Sequence, residues 1–197
     1  MTDRQLIATI KSLGVFRPSD LERLGVPRRR LYDLLAENRV ERLSWGVYVA
    51  KHHAFTEHHA LAQVARRVPH AIVCLLSALR FHGLTTQQPG DVWIALPENA
   101  RRPHLEGQRL VVCRFSGLAL TEGVEPHVVE RVPVRVTSPA RTVADCFRYR
   151  NKIGIDVAVE ALKDFTRLHR GGANELARYA RVRRVSRVMK PYMDAIA

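Results

Sequence analysis

The sequence has few cysteines and no long apolar run, and each shortage excludes a class of protein. Its three cysteines, Cys74, Cys113 and Cys146, are odd in number and widely spaced, so they fit neither a zinc motif nor a disulfide framework. Each lies in an apolar stretch, which predicts buried free thiols and a reducing cytoplasm. No stretch approaches the ~20 apolar residues that cross a bilayer. The N-terminus lacks an apolar signal core, so we expect neither a membrane protein nor an exported one.

Recognisable catalytic and metal-binding motifs are also missing. Histidines occur as the neighbouring pairs His52-His53 and His58-His59, but adjacent residues do not share a helix face and no carboxylate-rich motif accompanies them. The chain contains no phosphate-binding glycine loop and no nucleophile elbow. We interpret Ser77 and Ser138 as helix caps. We therefore expect a protein that is not an enzyme and that needs neither a metal nor a cofactor.

Acidic residues are scarce relative to basic ones. Lys and Arg total 32 against 19 Asp and Glu, a net charge of +13, and only five of the basic residues are lysines. The excess lies at the two ends, with net charges of +4 over residues 1–51, +2 over 52–136 and +7 over 137–197. Arginine forms bidentate contacts with phosphate and guanine. The charge therefore favours nucleic acid as the partner, with a merely soluble basic protein as the alternative.

The first 51 residues predict three short helices followed by a hairpin. Thr2 and Gln5 form a capping box for a helix that ends near Leu13. A second helix is expected within residues 17–25, and a third runs from Pro27, at its first position, to about Asn38. Alternating residues around a turn at Gly46 predict two short strands. This order is typical of a winged helix-turn-helix DNA-binding domain.

The third predicted helix is the candidate recognition helix, since the start of this helix enters the major groove in such folds. The hairpin is the candidate wing, which follows the DNA backbone or minor groove. At the wing, Trp45 either stacks on a sugar or base, or packs against the helices. The predicted DNA-binding residues are Arg17, Ser19, Arg28, Arg29, Arg30, Tyr32, Arg39, Arg42, Ser44 and Trp45.

Residues 56–197 predict a second domain of mixed α+β structure. Expected helices start at Thr56, Ser77, Ser138 and Ile155, and strands are expected at 92–96, 110–113 and 132–136. The apolar segment 71–74 is expected to be a buried strand or the start of a helix. Two further helices follow Gly172, and Arg141 and Asp145 are spaced to form an ion pair. No acidic residue occurs in 176–193, which predicts a second basic patch for DNA or an acidic protein, with a solvated surface as the alternative. Its members are Arg178, Arg181, Arg183, Arg184, Arg187 and Lys190.

Four stretches in this order resemble the AbiEi antitoxin family of transcriptional regulators, from type IV abortive-infection toxin–antitoxin systems. They are the hairpin sequence 45–48, the segments Ser77–Thr85 and Thr137–Asp145, and the closing Lys190-Pro191-Tyr192. The resemblance implies an N-terminal domain that represses its own promoter by binding inverted repeats. It also implies a C-terminal domain that counteracts a nucleotidyltransferase-like toxin. The family's wing often reads Gly-Arg-Gly-Val-Tyr, whereas here Trp45 replaces the basic residue.

The sequence therefore predicts a cytoplasmic, sequence-specific DNA-binding regulator, an autorepressor and antitoxin of a type IV system. Two alternatives remain open. One is an antitoxin that acts mainly through a partner toxin, and the other is a protein that binds nucleic acid without sequence preference.

Overall fold

A computed structural model describes residues 2–196 of the chain, and their mixture of helices and strands confirms the α+β class. The helices are α1 (Asp3–Leu13), α2 (Pro18–Arg23), α3 (Arg28–Ala36), α4 (His59–Arg67), α5 (Leu75–Phe81), α6 (Pro139–Arg148), α7 (Arg150–Ile153), α8 (Ile155–Leu168), α9 (Ala173–Val182) and α10 (Ser186–Ile196). The strands are β1 (Val40–Ser44), β2 (Val47–Ala50), β3 (Ile72–Val73), β4 (Val92–Pro97), β5 (Leu110–Phe115), β6 (Val124–Val129) and β7 (Val132–Thr137).

The described chain divides into two units. The first comprises residues up to Ala71 together with Pro103–Arg109 and Pro126–Val134, and the second comprises the rest. The first unit therefore extends beyond the predicted domain of residues 1–51. It includes α4 and a distant segment around Glu130, neither of which that prediction contained.

In the first unit, three helices and a hairpin surround one apolar core. The capping box of Thr2 and Gln5 is confirmed at the start of α1. β1 and β2 form an antiparallel hairpin whose turn is Trp45-Gly46. The segment between α1 and α2 extends this small sheet, because the backbone groups of Phe16 and Tyr48 exchange two hydrogen bonds of 2.9 Å. The hairpin is thus attached to the helical part of the unit through the segment that joins α1 and α2.

Gly14 is where α1 meets the segment around Glu130. Its φ of +64° suits glycine, and a Cβ built on it would lie 2.1 Å from the Glu130 carbonyl oxygen. No other residue can occupy this position without moving the backbone. The chain that leaves α1 therefore packs directly against residue 130, far away in sequence.

The larger sheet of the chain has the strand order β5-β4-β3-β7-β6, and α6 is the central helix of the second unit. β3 runs parallel to β7 and antiparallel to β4, and β4 runs parallel to β5. Ser138 caps α6, as predicted, by accepting a hydrogen bond from the Arg141 backbone N–H, and every residue from Ala140 to Phe147 is buried. α5, α8 and α9 pack around this helix. The three cysteines are free and buried, as predicted.

Several predicted boundaries are wrong. α4 begins at His59 rather than after Thr56, because Thr56 makes its hydrogen bonds to the Glu130 carboxylate. Ser77 does not cap α5 but lies inside it, where its buried hydroxyl accepts a hydrogen bond from the Trp93 backbone N–H at 2.9 Å. Pro27 is the residue before α3 rather than its first. β6 and α7 were not predicted.

A buried carboxylate holds the second unit together. Asp145 lies between two arginines: Arg141 donates from Nε to Oδ2 at 3.1 Å, and Arg183 donates from Nε to Oδ1. Arg141 is itself fully buried and also donates to the carbonyls of Ala119 and Glu122. Burial raises the pKa of Asp145, and the charges of the two arginines oppose this increase. The ion pair predicted from the spacing of Arg141 and Asp145 is thus confirmed and includes a third member.

Removing this carboxylate will destabilise the protein strongly. We expect Asp145→Ala to lower the free energy of unfolding by about 3–5 kcal/mol, because it leaves the Arg141 charge buried without a counter-ion. Urea unfolding of the full chain measures the change. The control is Asp164→Ala, which removes a partner of Arg167, a side chain that is 70% exposed. This change should lower stability by less than about 1 kcal/mol. Equal losses would contradict the assignment.

Candidate nucleic-acid interface

α3 presents a basic and aromatic surface at its N-terminal end. Leu31 and Leu34 face the core and are almost fully buried, whereas Arg28 and Arg29 are exposed and Tyr32 is 56% exposed. The first turn contains no carboxylate, so the helix N-terminus and the two arginines make one positive end. The geometry suits contacts with phosphate oxygens or base edges.

Arg30 differs from its two neighbours. Its side chain is 23% exposed, and its guanidinium donates to Asp3 Oδ1 at 2.9 Å and to Glu37 Oε1 at 2.8 Å. The Glu37 hydrogen bond raises the pKa of Arg30, despite the opposing effect of desolvation. This residue ties the start of α1 to the end of α3. In this arrangement Arg30 serves the fold, and Arg28 and Arg29 carry the accessible charge.

The predicted residues of α2 are only half exposed. The backbone N–H of Arg17 donates to the Asp20 carboxylate at 2.7 Å, which closes the first turn of the helix. Asp20 also pairs with Arg66 of α4. Ser19 lies in the same turn and is likewise half-buried. These contacts close the first turn of α2 and tie it to α4.

The hairpin contributes a second exposed group. Trp45 is 68% exposed at the turn, so the alternative in which its ring packs against the helices does not describe the structure. The Arg42 guanidinium lies 4.5 Å from the centroid of the Trp45 ring. Ser44 is buried, and Arg39 lies 3.8–4.0 Å from the carboxylates of Glu37 and Asp3. Arg42 and Trp45 are therefore the accessible part of the wing.

The C-terminal basic residues separate into two groups. Arg183 binds the buried Asp145, and Arg178 pairs with Glu122, so the charges of both are compensated within the second unit. Arg181 and Lys190 line a cavity of about 300 Å³ together with Ser186. Four exposed side chains make no ion pair with any residue in 2–196, and we call them the C-terminal patch: Arg181, Arg184, Arg187 and Lys190.

The sequence analysis missed a buried cluster around Glu130. This carboxylate is 2% exposed and binds His53 at 3.2 Å, His59 at 2.7 Å and the backbone N–H of Thr56 at 2.7 Å. Burial acts to raise the pKa of Glu130, but hydrogen bonds from Thr56 and His59 outweigh it, and the pKa is lowered. The paired histidines were the one signal of this cluster. Their partner, more than 70 residues away, could not be read from spacing.

Residues 2–196 contain no group of three or more His, Cys, Asp or Glu side chains arranged to hold a metal ion. Within the same residues, every helix is too short or too polar to span a bilayer.

Comparison with known proteins gives one match. Residues 4–51 fit the model of a family described as transcriptional regulator, AbiEi antitoxin. This segment contains α1, from its second residue, α2, α3 and the hairpin. The match confirms the inferred resemblance for this segment, and the other three stretches that suggested it lie outside the matched residues. A search of the curated proteins found no match.

The Glu130 cluster predicts an acid-sensitive fold. A lowered carboxyl pKa contributes stability at neutral pH, and this contribution is lost as the pH falls below the ordinary value of 4.5. We expect Glu130→Gln to lower the Tm at pH 7 and to lower it much less at pH 3. Thermal unfolding of both proteins between pH 7 and 3 measures the difference. A constant difference would mean that the Glu130 charge is not what stabilises the fold.

Proposed function

We propose, from the membership of residues 4–51 in the AbiEi antitoxin family of transcriptional regulators, that the chain is a sequence-specific DNA-binding regulator. The segment acts as a winged helix-turn-helix that binds inverted repeats in its own promoter and represses it. The protein works in the cytoplasm and performs no catalytic step. The family membership also supports a role as the antitoxin of a type IV system.

The observation that carries this proposal is the exposed end of α3. Arg28, Arg29 and Tyr32 point away from the core, on the side opposite Leu31 and Leu34. A helix of nine residues whose N-terminal turn is basic and free of carboxylates fits the major groove of DNA. α2 packs against α3 and is tied to α4 by the ion pair of Asp20 with Arg66, so it can serve as the first helix of a helix-turn-helix. Arg42 and Trp45 extend the surface along the hairpin.

In this mechanism the contacts divide by type. Arg28 and Arg29 read base edges, where a guanidinium suits the two acceptors of guanine. Arg39 and Arg42 contact the backbone and set the register of α3, and Arg30 keeps α1 and α3 together through Asp3 and Glu37. Sequence preference therefore depends on very few side chains.

A gel-shift experiment on the DNA upstream of the protein's own gene tests the proposal, with unrelated duplex as competitor and salt near ~150 mM. The full chain should bind the upstream duplex in preference to the competitor. Arg29→Ala should weaken this binding by about 1–3 kcal/mol and relax the sequence preference. Loss of the preference itself, and not only of affinity, is the decisive result.

Arg4→Ala is the matched control. Arg4 is an exposed arginine of α1 in the same unit, so its removal changes the net charge equally without altering α3. Its binding should stay close to that of the wild type. If wild-type binding shows no preference for the upstream duplex, the proposed function is wrong. If Arg4→Ala and Arg29→Ala weaken binding alike, the arginine at 29 acts only through its charge.

A second candidate function is supported by the C-terminal patch. Four exposed cations without counter-ions in 2–196 suit either DNA phosphates or an acidic surface of a partner protein, such as a nucleotidyltransferase-like toxin. In the first case the patch adds affinity without sequence preference. In the second case the chain acts as an antitoxin mainly through the partner.

Salt dependence distinguishes these two uses of the patch. We expect the triple variant Arg184→Ala, Arg187→Ala, Lys190→Ala to reduce the slope of log affinity against log salt by about 2–3, if each residue binds a phosphate. Gel shifts from 50 to 200 mM salt give the slope. An unchanged slope would mean that the patch does not contact phosphate. Co-purification with the product of the neighbouring gene would then support a protein partner, and its absence would leave the patch as a solvated surface.

A further inference from the structure

The turn of the β1–β2 hairpin carries a large aromatic ring in an unusual setting. Trp45 is the most exposed aromatic side chain among residues 2–196, at 68%, while the residues on both sides of the turn are anchored. Ser44 and Val47 are buried, and Gly46 allows the turn with a φ of +73°. The ring therefore projects from a fixed base rather than from a loose loop.

Arg42 restricts the orientation of the Trp45 indole ring. Its guanidinium lies 4.5 Å from the Trp45 ring centroid, and its Nε donates to the Ser44 carbonyl oxygen at 3.4 Å. The cation stabilises one orientation of the indole before any ligand binds. Because fewer side-chain rotations remain to be frozen, contact through this ring loses less entropy on binding.

We propose that Trp45 forms a wedge that enters the minor groove of duplex DNA, where the indole partly unstacks one base step while Arg42 binds the adjacent backbone. Apolar side chains inserted in this way bend DNA, and the neighbouring guanidinium suits the phosphates of that backbone. The inference rests on the proposed function and adds to it a preference for certain base steps in the bound DNA. Flexible pyrimidine–purine steps are preferred at the position of the wing, where no base edge is read.

The wedge predicts two different effects at neighbouring residues. Trp45→Ala should weaken binding to the upstream duplex roughly ten- to hundredfold, the range expected when one stacked aromatic is lost. It should leave the salt slope unchanged, because no charge is removed. Arg42→Ala should instead lower the slope by about 1. Trp45→Phe should keep most of the affinity, since an aromatic ring remains.

Fluorescence reports on the ring directly. The chain has two tryptophans, and the other, Trp93, is buried on β4, so the difference between wild type and Trp45→Phe isolates the emission of Trp45. Quenching of this emission by acrylamide should fall several-fold when the upstream duplex is added. The duplex should be bent in the wild-type complex, as measured by energy transfer between its labelled ends, and straighter in the complex with Trp45→Ala.

Each outcome decides a separate point. If the wild type shows no specific gel shift, the proposed function fails and the wedge fails with it. If it binds specifically while Trp45 stays open to acrylamide, the wedge is wrong and the proposed function stands. If Trp45 is protected but the DNA remains straight, the ring touches only the sugar–phosphate backbone, and the unstacking step is wrong. Protection together with a bend that depends on Trp45 supports the proposal.

Discussion

Asp145 is a carboxylate without access to solvent, and two guanidinium groups surround it. Arg141 comes from the same helix, whereas Arg183 follows α9, so the carboxylate joins elements that are distant along the chain. Both guanidinium groups also lie over the ring of Phe115, at 5.5 and 4.8 Å. α6 can be buried along eight consecutive residues only because these charges compensate one another. The packing of α8 and α9 around α6 depends on the same compensation.

Charge compensation also explains how a chain with 32 basic and 19 acidic residues divides its arginines. Carboxylates are the limiting partner, and those of Asp145, Glu37 and Asp20 are bound to arginines of the fold. Arg30 and Arg66 are held in this way and brace the helices of the first unit. Arg28 and Arg29 on α3, Arg42 on the hairpin and the C-terminal patch keep exposed charges instead. The positions of the few carboxylates thus decide which arginines serve the fold.

The sequence predicted what local rules control. The capping box of α1, the start of α6 at Pro139 and the pairing of Arg141 with Asp145 all follow from spacings of four residues or fewer. The parallel pairing of β3 with β7 and the Glu130 cluster did not follow, because their partners are more than 60 residues apart. β6 escaped prediction for a different reason. Its segment contains Pro126 and alternates weakly, with most of its residues half-buried or exposed, so the pattern resembles a loop.

The candidate site was predicted less well than the fold, because contacts between residues distant in sequence decide which of its side chains are exposed. Three consecutive arginines at residues 28–30 look equivalent in the sequence, yet only position 30 reaches Asp3 and Glu37. Likewise, Arg183 cannot be separated from Arg184 by composition, although one guanidinium is bound in the core and the other is exposed.

Accessibility therefore narrows the set of residues that can recognise a partner. Electrostatic attraction to phosphates acts at every sequence of DNA, so the unpaired arginines raise affinity without raising selectivity. Selectivity must come from groups with a fixed direction. On the first unit those groups are the side chains at the start of α3 and the ring of Trp45, each held by a rigid base. Under the proposed function, the chain would bind DNA strongly through many charges and still choose its site through a few side chains.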